Sequence, residues 1–109
     1  MSALQQLRTM TTIVADTGDL AAIERLKPID ATTNPSLITK ALIHPDNEAV
    51  LSETMSRHRD DIDAVIDELT IQIGCNILSL IEGRVSTEVD ARLSYDTQAT
   101  IDKALAFME

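Results

Sequence analysis

Between Ile62 and Leu80 the apolar residues Ile62, Val65, Ile66, Leu69, Ile73, Ile77 and Leu80 return every three or four positions. That spacing gathers them on one side of an α-helix and predicts a long helix through this region, with Gly74 in its middle. Leu4, Leu7 and Thr11 repeat the spacing more weakly and predict a short helix over 2–11. Ile101, Ala104, Leu105 and Met108 predict a last helix after Ser94. Other segments follow a different rule. Residues 12–17 are rich in β-branched side chains and close on Gly18-Asp19, which predicts a strand, a turn and then a helix over 20–26. After Lys27-Pro28, residues 30–34 form a second extended run, stopped by Pro35. Asn34-Pro35 has the form of a helix cap followed by proline at the first helical position, so a helix over 35–43 is expected. His44-Pro45-Asp46 breaks the pattern before a helix over 47–57, and Asp60 or Asp61 caps the long helix that follows. Glu82-Gly83 turns the chain into residues 84–90, where Val85, Thr87 and Val89 alternate with Ser86, Glu88 and Asp90, predicting a third strand.

Strands that alternate with helices pair in parallel through helical crossovers, so the fold class is α/β. Parallel strands covered on both sides are mostly apolar. Here period-two alternation instead assigns Asp16, then Thr32 and Asn34, then Ser86, Glu88 and Asp90 to one face, near the strands' C-terminal ends. Barrels and open α/β sheets place their ligands in that region.

Composition narrows the classes. The 109 residues give room for one domain, and with only Tyr95 and Phe107 aromatic its core must be aliphatic. A net charge of −9 disfavours nucleic acid and anionic membrane surfaces. No apolar run approaches the ~20 residues of a bilayer span and no signal peptide is visible, so a soluble cytoplasmic chain is expected. Cys75 falls within the periodic helix and reads as a buried packing residue; as the only cysteine it has no internal disulfide partner. His44 and His58 lack metal-ligand spacing with each other or with Cys75, so both read as surface residues and no metal is expected. Asp60, Asp61, Asp63, Asp67 and Glu68 read as a solvated helix face.

Each polar candidate has a structural and a chemical reading. The run from Asp16 to Asp19 serves equally as a turn with a helix cap. Asn34 is fully explained as a cap before Pro35. Glu88, a carboxylate in mid-strand, must be solvated, paired with Arg84 or Arg92, or used in proton transfer.

In combination the segments TTIVADTGD (11–19), DATTNPSLI (30–38) and RVSTEVDARLSYDT (84–97) resemble the first three strand regions of the bacterial transaldolase family. The likeness runs through essentially the whole chain, with a shorter stretch between Ile43 and Asp60. It implies the first three strand–helix units of a (β/α)8 TIM barrel, incomplete here. It also implies a pentose phosphate pathway transferase that moves a dihydroxyacetone unit from a ketose phosphate to an aldose phosphate through a Schiff base, with no cofactor or metal. On that resemblance Asp16 shuttles the proton of the substrate hydroxyl and Asn34 orients hydroxyls. Glu88 acts through water as acid and base, and Thr32 and Ser86 line the same pocket. Physically, carboxylates in a partly enclosed barrel exchange protons near neutral pH.

The resemblance places the family's Schiff-base lysine on a fourth strand, beyond Glu109, and its phosphate-binding arginine later still. Lys27, Lys40 and Lys103 fall at a helix-end turn and in two helices, so none takes that place. The chain then holds acid and base groups without the amine that accepts electrons from the breaking bond, and is expected to be inactive alone. A complete barrel takes about 250 residues, whereas three strands leave two open edges and an uncovered polar face. Self-association, a loosened state or complementation by the missing barrel portion is therefore expected. The competing readings are a non-catalytic relic that serves as a binding or assembly module, and a small acidic scaffold without a ligand.

Overall fold

The computed structural model describes residues 1–109. At its centre three parallel strands, β1 (Val14–Asp16), β2 (Asp30–Thr32) and β3 (Val85–Ser86), lie side by side in chain order. Six helices accompany them: α1 (Ala3–Met10), α2 (Leu20–Leu26), α3 (Pro35–Leu42), α4 (Glu48–Arg57), α5 (Ile62–Leu78) and α6 (Thr97–Met108). Short 3-10 turns occupy Pro45–Asn47 and Ala91–Leu93.

Local chemistry sets most helix starts. Ser2 and Gln5 form a reciprocal capping box on α1, and the side chains of Asp19, Asn34, Asp61 and Asp96 accept backbone N–H groups at the starts of α2, α3, α5 and α6. At the end of α2, Lys27 adopts the left-handed conformation, and the Arg8 guanidinium donates to the carbonyls of Leu26 and Lys27. A cation there suits the negative end of the helix dipole.

Register separates the two faces of the sheet. Ala15, Ala31 and Val85 align across the strands and face the helices. Ile23, Ile38, Ile73 and Ile77 from α2, α3 and α5 close over Ala31 to form an aliphatic core. The small alanines allow these branched side chains to approach the sheet closely. The next row, Asp16, Thr32 and Ser86, points to the opposite face, which carries no helix layer. Val14 on that face remains 49% exposed, and the outer edges of β1 and β3 have no neighbouring strand. The radius of gyration is 15.5 Å, against about 13 Å for a compact chain of this length. This is an open, unclosed beginning of a (β/α) barrel, as the alternation of strands and helices predicts.

Several expectations need correction. The strands are shorter than 12–17, 30–34 and 84–90, because a strand persists only where a neighbour pairs with it. Asn34 leaves β2 to cap α3, and the hydrogen bond from Thr33 N to Ser86 O is the last between β2 and β3. Thr87 to Asp90 are therefore not strand. The periodic face of α5 is also only partly covered: Val65, Leu69, Ile73 and Ile77 are buried, while Ile62 and Ile66 are 73% and 50% exposed. Cys75 is exposed, not a packing residue. It sits two positions from both Ile73 and Ile77, turned about 200° away from them around the helix axis. No helix is long and apolar enough to cross a membrane.

Candidate active site

The polar row is built by register. Asp16 and Thr32 are paired positions of β1 and β2, and Thr32 Oγ1 donates to Asp16 Oδ1 at 3.0 Å. Ser86 pairs with Thr32 from the other side. Three of the five residues singled out from the sequence thus form one line across the C-terminal ends of the strands. Asp16 and Ser86 are exposed and Thr32 is half-buried, since nothing covers this face.

Asn34 stands two residues beyond Thr32 at the start of α3. Its Oδ1 accepts the Leu37 N–H at 2.9 Å, so the structural role as a cap is real. The same bond fixes the amide plane and leaves the Nδ2 protons without a partner in the chain. Glu88 follows β3 by two residues and is exposed. Neither candidate arginine pairs with it. Arg84 gives its backbone N–H to Asp30 Oδ1 at 2.8 Å, whereas Arg92 pairs with Asp90 and Asp63.

Asn34 and Glu88 both border a cleft of about 600 Å³ between α3, α5 and α6. Its walls include Ile38, Ile66 and Phe107, with Lys103 and Arg92 at the rim. Asp16, Thr32 and Ser86 do not line it. The cleft lies on the helix side of the sheet, and the polar row lies on the bare side; of the five candidates only Asn34 and Glu88 border the cleft.

Acidic residues of α5 that read as a solvated face are largely engaged. Asp61 caps the helix, Asp63 meets Arg92 at 2.9 Å, Asp67 pairs with Lys103, and Glu68 binds Arg57 and His58. His58 is half-buried beside Glu68 rather than a free surface residue. Two carboxyls are held below their ordinary range: Asp90 chiefly by the Arg92 side-chain and backbone hydrogen bonds, Glu68 chiefly by the His58 hydrogen bond. The Arg92 guanidinium is correspondingly raised, first by Asp90 and then by Asp63. Among the lysines, Lys27 ends α2, Lys40 lies on α3, and Lys103 is committed to Asp67. None is bonded to a member of the polar row.

As chemistry, the row supplies a carboxylate steadied by a hydroxyl and a second hydroxyl, and the cleft border adds an amide with free donors and an unpaired carboxylate. Such groups bind hydroxylated ligands and move protons.

Residues 13–109 match the family described as Transaldolase/Fructose-6-phosphate aldolase. The chain is 50% identical over 108 residues to a transaldolase of Methylibium petroleiphilum, covering 98% of this chain and 34% of that protein. It is 51% identical over 111 residues to a transaldolase of Trichormus variabilis, and 50% over 111 residues to one of Nostoc punctiforme. Each of these two alignments covers 93% of this chain and 33% of the relative. The chain therefore spans about a third of the length of the curated relatives it matches, at their amino-terminal end. On the extent of the family match, it belongs to the Transaldolase/Fructose-6-phosphate aldolase family.

Proposed function

We propose that this chain supplies the proton-transfer and hydroxyl-binding part of a transaldolase, and that the amine nucleophile comes from outside its 109 residues. The completed site moves a dihydroxyacetone unit between sugar phosphates. The aligned row Asp16, Thr32 and Ser86 on a bare sheet face carries this reading, because it offers polar groups where a closed barrel would hold a substrate. In the completed site Asp16 takes the proton of the substrate hydroxyl as the carbon–carbon bond breaks, with Thr32 fixing the carboxylate's direction. Asn34 donates to substrate hydroxyls through its free Nδ2 protons. Glu88 works through a water molecule in forming and releasing the iminium, for which the amine supplies the electron sink. No cofactor or metal enters this scheme. Lys103 is an unsuitable nucleophile here, since it lies on α6 and is ion-paired with Asp67.

The chain works in the cytoplasm, and its net charge of −9 argues against nucleic acid or an anionic membrane as partner. Its natural complement is the rest of the barrel, docking on the open edges of β1 and β3. To test this, the chain is mixed with the separately produced remainder of the Methylibium petroleiphilum transaldolase, and transfer from fructose 6-phosphate to an aldose phosphate is followed. Activity is expected from the mixture and not from either part. No complex and no activity at any ratio would overturn the enzyme reading.

The unpaired strand edges also favour a second reading, in which the chain docks on a complete relative as a non-catalytic module. That predicts a complex whose formation survives Asp16→Asn and Glu88→Gln without any change in turnover.

A further inference from the structure

Glu88 is carried on a segment with little backbone support. The ladder between β2 and β3 ends at Ser86 O, and no backbone hydrogen bond involves Thr87, Glu88 or Val89. Thr87 Oγ1 faces the helix layer, 3.8 Å from where a Cβ on Gly74 would lie, and Glu88 beside it borders the cleft. The segment is held again only at Asp90. Asp90 Oδ1 accepts the backbone N–H of Arg92 at 2.8 Å. Asp90 Oδ2 accepts the Arg92 guanidinium twice, at 2.8 Å from Nε and 2.6 Å from Nη2. The same Nη2 donates to Asp63 Oδ1, at 2.9 Å, in the first turn of α5.

We propose that Arg92 is a positioning residue for Glu88, acting as a clamp that ties the segment leaving β3 to the start of α5. The proposal rests on the reading of Glu88 as the water-activating carboxylate. An exposed ion pair ordinarily contributes little. This one differs in its geometry: two guanidinium N–H groups converge on one oxygen of Asp90, the backbone N–H of Arg92 holds the other, and a further bond reaches a separate element, which fixes direction as well as proximity. The bonds at Asp90 alone would only shape the 3-10 turn. It is the bond to Asp63, 29 residues earlier in the chain, that sets where the turn and Glu88 stand against the helix layer. Lysine keeps the charge but cannot make the paired contact and reach Asp63 together.

Nitroxide mobility, read by electron paramagnetic resonance in the 109-residue chain, tests the clamp without substrate and at any state of association. One label is placed at Val89→Cys in a Cys75→Ala background, and a control label on native Cys75 of α5. Arg92→Gln is expected to abolish the immobilised component at position 89 and leave the Cys75 spectrum unchanged, with Arg92→Lys recovering part of it. Asp63→Asn, which removes only the outer arm, should loosen position 89 in the same sense and serves where Arg92→Gln does not fold. An unchanged spectrum at position 89, or equal mobilisation of Cys75, overturns the proposal. Glu88's chemical role is read separately, by Glu88→Gln in the mixture of the two barrel parts, so failure of either idea is distinguishable from failure of the other.

Discussion

Thr32 Oγ1 donates to Asp16 Oδ1 at 3.0 Å across the parallel pairing of β1 and β2, in which the two residues are register partners. A hydroxyl in this position does little for an exposed carboxylate's stability, since water competes for the same lone pair. It restricts the direction in which the carboxylate can take a proton. Thr32→Val is therefore expected to change the stability of the reconstituted complex by less than about 1 kcal/mol in urea unfolding. It should lower the activity of the reconstituted enzyme by tenfold or more, about 1.4 kcal/mol in the transition state. Thr32→Ser keeps the donor and should stay near wild type. Equal activities for the Val and Ser variants would remove Thr32 from the mechanism.

The glycines at positions 74 and 83 should respond oppositely to alanine. Gly83 N donates to Ile29 O at 2.9 Å just before β3, and a Cβ there would fall 1.9 Å from Asp30 Oδ1 and 2.6 Å from Ile29 O. Asp30 Oδ1 also receives the Arg84 N–H, so the added carbon breaks the hook that sets the register of β3. Gly83→Ala is expected to cost about 2 kcal/mol or more. Gly74 lies inside α5, and its added Cβ would meet only Thr87 Oγ1, at 3.8 Å. Gly74→Ala should gain about 0.5–1 kcal/mol through helix propensity. Urea midpoints of the two variants, each in complex with the remainder of the barrel, check both signs.

The acid limit of stability should involve Glu68, which joins α4 to α5. His58 Nε2 lies 2.5 Å from one carboxylate oxygen, while Arg57 and Gln72 donate to the other. The His58 bond, followed by the Arg57 charge and the Gln72 bond and opposed by partial desolvation, holds the carboxyl below its ordinary 4.5. A carboxyl depressed in the folded state stabilises the fold above its unfolded value, and that contribution fades as the pH falls through the lower folded value. Measured on the complex with the remainder of the barrel, the difference in Tm between wild type and Glu68→Gln should accordingly be constant near neutrality and narrow as the pH drops from about 5 towards 3. A difference that stays level over that range would show that the carboxylate's charge is not what holds α4.

How much of this was legible in the sequence depended on whether the controlling interaction is local. α2 falls over 20–26 as expected, and α3 begins at Pro35, because the Asp19 and Asn34 caps and the proline act within one turn. The row of Asp16, Thr32 and Ser86 was legible from period-two alternation once the strands were taken as parallel. Strand ends were not, because alternation continues to Asp90 while pairing stops where Asn34 turns away. Exposure of Ile62, Ile66 and Cys75 was equally hidden: periodicity defines a helix face but not which neighbours cover it. Contacts of Arg92 with Asp63 and of Lys103 with Asp67 join residues 29 and 36 apart, fixed by how the segment after β3 and α6 meet α5. No local spacing announces them.

The bare face and the two open strand edges should also govern solution behaviour. Sedimentation velocity is expected to show species heavier than the 11.9 kDa monomer, increasing with concentration, or an expanded chain without a sharp thermal transition. Adding the remainder of the barrel should replace both with one defined complex. A compact monomer that melts cooperatively by itself would contradict this expectation.

Borohydride trapping in the presence of fructose 6-phosphate tests most directly whether the reacting amine lies outside these residues. Reduction converts an iminium into a stable secondary amine, so mass spectrometry of each polypeptide identifies the one that held the sugar. The 109-residue chain should remain unmodified, alone or mixed, and the complementing polypeptide should carry the adduct only when this chain is present with Asp16 and Glu88 intact. A substrate-dependent adduct on Lys27, Lys40 or Lys103 would contradict the account at its centre.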